Sequence, residues 1–370
     1  MSVSVAKVLS ERLPRIFAAG ADYSDVQEVI TNVKEMSQWP HAWLGLAERY
    51  EHLGEKALAA SDFTTAGEAF ARQALYCHFG QFAYFSDITL KRRLQTIQNS
   101  AYVRAAPYLM PSGTHIEIPS EGGMLSAVLR VPATDDPPPC VILVPGADST
   151  KEEFQTLEAV FHRRGLATCS VDGPGQGLTH QRMKLRPDFE VPIGHVLDHL
   201  AQLETINPQK VALWGRSFGA YAALRGAVDK RLSAVVSIGG FFDLSSVWIR
   251  MPISTQESIA YAMGLSVDAV SMVLPSYTLT KHLRGVQCPV LIVHSGGDDV
   301  CPVTESERMV NDLSAPVTYR LFENGNHVCD NLTHTVRPLM ADWLKSQLMS
   351  QRISADGPKE EIKNGSAFGG

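Results

Sequence analysis

The sequence predicts an α/β protein: a mostly parallel sheet with helices on both faces, preceded by a helical module. Three observations carry this expectation. Short apolar, β-branched runs recur from Cys140 onward, helix-length stretches separate them, and residues 1–110 hold almost no strand signal. Runs that are apolar on both faces and spaced by helices suit a parallel sheet, because its crossover helices cover both faces.

The chain has 370 residues, enough for one large α/β domain plus a further module. A hydrophobic share of 45% and a charged share of 19% place it among globular proteins with a sizeable core. A net charge of −6 gives no footing for nucleic acid or an anionic membrane as partner. The first twenty residues mix charges into apolar positions, unlike a secretion signal, and no stretch reads as a membrane span. The expectation is a cytoplasmic protein. The six cysteines are scattered without a Cys-x-x-Cys pair, and three lie in or beside apolar runs, as core residues of a reducing compartment do. Cys329 stands two residues after His327, and a packing role is preferred for it.

In the N-terminal part, Trp43, Leu46, Ala47, Tyr50 and Leu53 fall on one helical face. "SDFTTAGEAF" reads as a turn followed by an N-capped helix. The helix-turn-helix texture resembles a tetratricopeptide unit, but one partial copy is too few for an array. Pro107 and Pro111 break the pattern, so a helical module is assigned to residues 1–110. Its aromatics Trp39, Trp43, Tyr76, Phe79, Phe82, Tyr84 and Phe85 admit two readings: packing between helices, or, for a few, the lining of an aromatic substrate pocket.

After Pro111, "THIEIPS" and "MLSAVLRVPA" alternate like paired edge strands around a Gly122-Gly123 turn. Six runs follow: "CVILV" (140–144), "LATCSV" (166–171), "KVALW" (210–214), "AVVSIGG" (234–240), "CPVLIVH" (288–294) and "VTYRLF" (317–322). With the edge pair they make eight strands over residues 111–349. Segment 241–285 exceeds one crossover and has room for a small lid. Residues 350–370 are polar and Gly-rich and are expected to be disordered.

The chemistry centres on "VALWGRSFGAYAALRGA" (211–227). A buried strand runs into Gly-Arg-Ser-Phe-Gly and a helix follows at once. Gly215 and Gly219 leave room for a sharp strand-to-helix reversal that presents Ser217 at the strand end. A serine hydroxyl needs a base, and the base needs an orienting acid. His327, in the turn-rich loop after the last strand, supplies the base. Asp298, after the preceding strand, supplies the acid, with Asp299 as alternative. The Ser, Asp, His order fits the strand-loop-helix plan. Two N–H donors for the oxyanion are expected from Phe218, after the serine, and from Ala147, after "CVILV". Asp148, beside Ala147, points at the substrate or is partly protonated, or else it caps the helix beginning near Ser149 or Thr150. "DGPGQG" (172–177) matches no phosphate-loop spacing and reads as a structural turn under the site. No metal-ligand spacing and no cofactor motif appears.

"LAERYE", "STKEE", "DGPGQG", "GRSFG", "DDVCP", "GNHVCDN" and "RPLMADWL" together carry a resemblance that spans nearly the whole chain. The sequence resembles the α/β-hydrolase family of 2,6-dihydropseudooxynicotine hydrolase, which includes fungal hydrolases that shorten polyketide chains. The resemblance implies an α/β-hydrolase fold with an N-terminal helical cap and a Ser217–Asp298–His327 triad. It also implies a homodimer, a small-molecule substrate and no cofactor. Asp148 stands where the nicotine enzyme is expected to carry Glu, and Asn326 where Asp is expected. The implied reaction is cleavage of a carbon–carbon bond next to a carbonyl in a β-diketone-like or polyketide-derived compound. A carboxylesterase or thioesterase uses the same machinery and stays open, and a non-catalytic binding protein on this scaffold is the third reading. Asp148, Trp39, Trp43, Tyr76 and Phe79 are the candidate substrate contacts.

Overall fold

A computed structural model describes residues 5–350. The predicted tail at 351–370 lies outside the described residues. Five helices come first: α1 (Val5–Ala18), α2 (Tyr23–Asn32), α3 (Trp39–Ala59), α4 (Phe63–Gln81) and α5 (Ile88–Ala105). On α3, Trp43, Leu46 and Ala47 are buried as the spacing predicts. Leu53 is not, being 43% exposed. The buried stripe passes instead to Gly54 and Ala57, where a Cβ on Gly54 would meet the Phe70 ring at 2.5 Å. Asp62 occupies the N-cap position of α4, but its side chain makes no capping bond.

The edge hairpin pairs β1 (Gly113–Ser120) with β2 (Gly123–Arg130), Ser120 opposite Gly123. Then β3 (Cys140–Val144), β4 (Ala167–Asp172), β5 (Val211–Arg216), β6 (Leu232–Ile238), β7 (Val290–Ser295) and β8 (Val317–Phe322) complete an eight-stranded sheet. Its order is β1-β2-β4-β3-β5-β6-β7-β8, and every pairing from β4 to β8 is parallel. The sequence-predicted runs fall on these strands with shifts of one or two residues at their ends.

Alternation along each strand divides the core. Cys140, Ile142, Val144, Val211 and Leu213 face one layer, containing α7 (Glu190–Leu200) and α8 (Phe218–Gly226). Val141, Leu143, Ala212 and Trp214 face the other, where α6 (Gln155–His162) and α13 (Thr333–Met349) pack. Between β6 and β7 the chain forms α9 (Leu244–Val247), α10 (Ile253–Met263) and α11 (Val267–Val270), and α12 (Val303–Asp312) follows β7. This insertion closes the C-terminal end of the strands, where an α/β sheet offers its crevice. Among the described residues, no helix is long and apolar enough to cross a membrane.

Candidate active site

Ser217 sits between β5 and α8 with φ 54° and ψ −122°, a strained conformation for a non-glycine residue. The bend holds because its flanks allow close approach. A Cβ on Gly215 would lie 1.9 Å from the Gly219 carbonyl oxygen, and one on Gly219 would lie 2.2 Å from that of Val144. Only glycine fits at either position. The Ser217 N–H donates to the Ile238 carbonyl at 2.9 Å, fixing the elbow to β6.

Three predicted residues meet here. His327 Nε2 lies 3.0 Å from Ser217 Oγ, and its Nδ1 lies 2.9 Å from both carboxylate oxygens of Asp298. Asp298, rather than Asp299, makes the contact. Its Oδ1 also accepts the N–H groups of Val300 and Cys301 at 2.9 and 2.8 Å. Burial alone would raise the Asp298 carboxyl. His327 above all, then His294 and the Cys301 N–H, hold it below the usual carboxylate range. His294 Nε2 donates to the Cys301 carbonyl, 2.8 Å away, which shapes the acid loop. The His327 loop turns through two left-handed residues, Val328 and Cys329, each at φ 55°. Burial pushes the Cys329 thiol up to about 12, which suits the packing role.

Gly146, Ala147 and Phe218 border Ser217 in a narrow cleft. Phe218 opens α8, where an N–H has no intrahelical acceptor. Among the described residues neither its N–H nor that of Ala147 donates to another group of the chain. Gln176 of the "DGPGQG" turn donates to the Pro145 and Gly146 carbonyls at 2.5 and 3.2 Å, which buttresses this loop from below.

Asp148 adopts neither predicted role in full. It does not cap a helix. Its carboxylate pairs with Arg15 of α1 at 2.9 Å while its side chain stays 22% exposed to the cleft. Burial works against its charge, yet Arg15 and then Arg12 keep it below the usual range, so the partly protonated form is corrected to a carboxylate. Arg15 also grips Glu153 with two bonds of 2.6 and 2.7 Å. Arg216, the residue before the serine, pairs with Asp330 at 2.8 Å and lies 3.7 Å from Glu153. Two residues earlier in "STKEE", Lys151 bridges Glu152 and Asp172, and Gln98 of α5 donates to Glu152 at 3.0 Å. The segment is thus a buried ionic clasp between the helical module and the sheet.

The four aromatic candidates are elsewhere. Trp39, Trp43, Tyr76 and Phe79 have no exposed surface and form the core of the N-terminal helices. Trp39 Nε1 donates to the Phe79 carbonyl at 2.7 Å, and the Tyr76 hydroxyl bonds Asp25 at 2.5 Å. Large rings packed on all sides inside a module have no face left for a ligand. The cleft is lined instead by Arg12 and Arg15 from α1 and by Met251, Thr255, Ser258 and Ile259 from the insertion. The missed signals were small: an arginine inside the apolar "RIFAAG", and three consecutive charges, Lys151 to Glu153, shortly after β3.

The sequence profile described as esterase FrsA-like matches residues 9–349. The chain belongs to the FrsA-like esterase family. This FrsA-like protein is 32% identical over 355 residues to 2,6-dihydropseudooxynicotine hydrolase of Paenarthrobacter nicotinovorans, covering 95% of each chain. It is 34% identical over 317 residues to the hydrolyase poxO of Penicillium oxalicum, covering 71% of this chain and 75% of that one. The crystal structure of 2,6-dihydroxy-pseudo-oxynicotine hydrolase superposes with a TM-score of 0.85 at 30% identity, over 91% of this chain and 96% of the other. AbyA5 shares the fold with a TM-score of 0.72 at 19% identity, over 93% and 99%. The FrsA-like protein is a hydrolase of the α/β-hydrolase fold.

Proposed function

We propose that this FrsA-like hydrolase uses Ser217, His327 and Asp298 to cleave a carbon–carbon bond next to a carbonyl in a β-diketone-like small molecule. The observation that carries the reading is the continuous relay from Asp298 through His327 to Ser217 Oγ, with contacts of 2.9 and 3.0 Å. His327 takes the hydroxyl proton as Oγ attacks the carbonyl, and buried Asp298 orients the ring and stabilises its charge. The N–H groups of Ala147 and Phe218 receive the oxyanion. Collapse breaks the C–C bond only if the departing carbon is stabilised by an adjacent carbonyl. It leaves as an enolate, takes the proton from His327, and an acyl-Ser217 ester remains for water to hydrolyse. Arg15 keeps Asp148 ionised, so Asp148 positions the substrate instead of protonating the leaving carbon. The similarity to 2,6-dihydropseudooxynicotine hydrolase favours C–C cleavage, and the esterase description of the family favours the alternative, an ester or thioester substrate.

A fluorophosphonate probe tests the nucleophile, and product analysis tests the bond. The expected result is labelling of Ser217, lost in Ser217→Ala, with acid and ketone released from an aryl 1,3-diketone. Rapid turnover of 4-nitrophenyl esters with no diketone cleavage would move the assignment to an esterase. Absence of labelling would remove the serine mechanism altogether.

A further inference from the structure

Beyond the Ala147–Asp148 turn lies a second chamber, narrow and partly open to solvent, that shares Ala147, Asp148 and Ser258 with the Ser217 cleft. Its wall includes the end of α4 at Gln81, Phe85 and Lys91 around the start of α5, Tyr261 of α10, and the loops at Ser149–Thr150 and Gly175–Gly177. The relay described above uses none of them.

Lys91 is the unusual group. Its side chain is buried, 4% exposed as a residue, and its Nζ donates to the Gln81 carbonyl at 2.6 Å and to Gln81 Oε1 at 2.7 Å. Both acceptors are neutral. The C-terminal end of α4 lends them partial negative character, and the ammonium lies 4.4 Å from the Phe85 ring centre and 5.2 Å from that of Tyr261. Among the described residues no carboxylate comes within 4 Å of it, and Asp148 and Glu257 act on it only from farther away. Asp148 is already engaged by Arg15. A buried cation without a counter-ion is costly. Burial accordingly lowers the Lys91 ammonium to about 7. With two of its three N–H bonds engaged, one remains for a ligand.

We propose that this chamber is a subsite for an anionic oxygen on the part of the substrate beyond the scissile bond, with Lys91 as its counter-ion and specificity determinant. The proposal rests on the hydrolytic reading of the adjacent Ser217 cleft. A carboxylate or an enolate supplies the missing charge, and the flanking rings suit a flat carbon framework behind it.

Equilibrium binding to the full-length Ser217→Ala chain tests the subsite without turnover. Two matched pairs serve as probes: benzoate against benzamide, and 1,3-cyclohexanedione, an acidic enol, against its neutral methyl enol ether. Each anion that the chamber takes is expected to bind about tenfold or more tightly than its neutral partner. Selectivity in one pair alone assigns the oxygen to a carboxylate or to an enolate. Adding Lys91→Met is expected to erase the preference, as is Gln95→Glu, which places a carboxylate beside Gln81 and leaves Lys91 intact. Equal or undetectable binding of both anions overturns the proposal, as does selectivity that survives either folded variant. Ser217 labelling is read in a separate experiment, so failure of the nucleophile and failure of the subsite give different results.

Discussion

Replacing Arg15 with methionine removes one guanidinium and leaves two carboxylates behind. Glu153 is 2% exposed and Asp148 22%, and Arg15 holds both within 2.9 Å. Removing one partner of a buried ion pair costs about 3–5 kcal/mol. Glu153 keeps His78 at 3.3 Å and Arg216 at 3.7 Å, and Asp148 reaches the cleft, so the lower end, about 3 kcal/mol, is expected. The dependence on pH has a definite sign. In the parent, burial opposes and Arg15 imposes a lowered titration on Glu153 and Asp148. Their contribution is therefore present above the ordinary carboxylate values near about pH 4 and is lost as pH falls through the depressed folded values. In the variant, burial acts with less opposition and the folded values rise. The penalty then grows as pH climbs from about 4 towards those raised values. Denaturant titrations of Arg15→Met and parent at neutral pH and at about pH 5 measure the gap, which narrows in acid. A gap under about 1 kcal/mol at neutral pH, or one that does not shrink at the lower pH, would refute the assignment of Arg15 as the shared counter-ion.

Three further outcomes are expected. Asp298→Asn lowers kcat roughly 10,000-fold with little change in KM, because the neutral amide neither fixes the imidazole tautomer nor stabilises its charge; a loss under about tenfold would separate Asp298 from the relay. Trp43→Ala destabilises the chain by about 3–5 kcal/mol, read from chemical denaturation, while KM of the folded enzyme stays put; a raised KM with unchanged stability would return Trp43 to the substrate pocket. A thiol reagent at about pH 8 leaves Cys329 unmodified in the native protein and reaches all six cysteines only after unfolding, since burial pushes its thiol up to about 12 and no disulfide holds any of them; fast native labelling of Cys329 would contradict that.

The strands were legible because each carries a short apolar run that must be buried on both faces, as "CVILV" is at Cys140–Val144. Ser217, Asp298 and His327 were legible for a related reason: each lies in the loop or turn that follows a readable strand, so local sequence placed all three at one sheet end. The cleft walls were not. Arg12, Arg15 and Thr255 arrive from segments far apart in the chain, and no local periodicity records which helix meets which loop. The aromatic candidates misled because a ring in a helical pattern has the same spacing whether it faces a neighbour or a ligand. Burial of Trp39, Trp43, Tyr76 and Phe79 is decided by the partner helices, which sequence spacing does not display. Asp148 shows a third limit. Its charge state depends on Arg15, 133 positions away, and on Arg12 in the same helix.

The clasp through Arg15, Glu153 and Gln98 also bears on how such enzymes diversify. A roof that merely rested on the sheet could be exchanged between scaffolds like a detachable lid. Here the first helix supplies charge to the segment after β3, and the fifth supplies an amide to the same segment. A chimera that grafts a foreign N-terminal module onto this sheet inherits the accepting carboxylate of each bond and not its donor. New specificities on this framework are therefore reached more readily by recutting the wall around α10 than by trading the whole canopy.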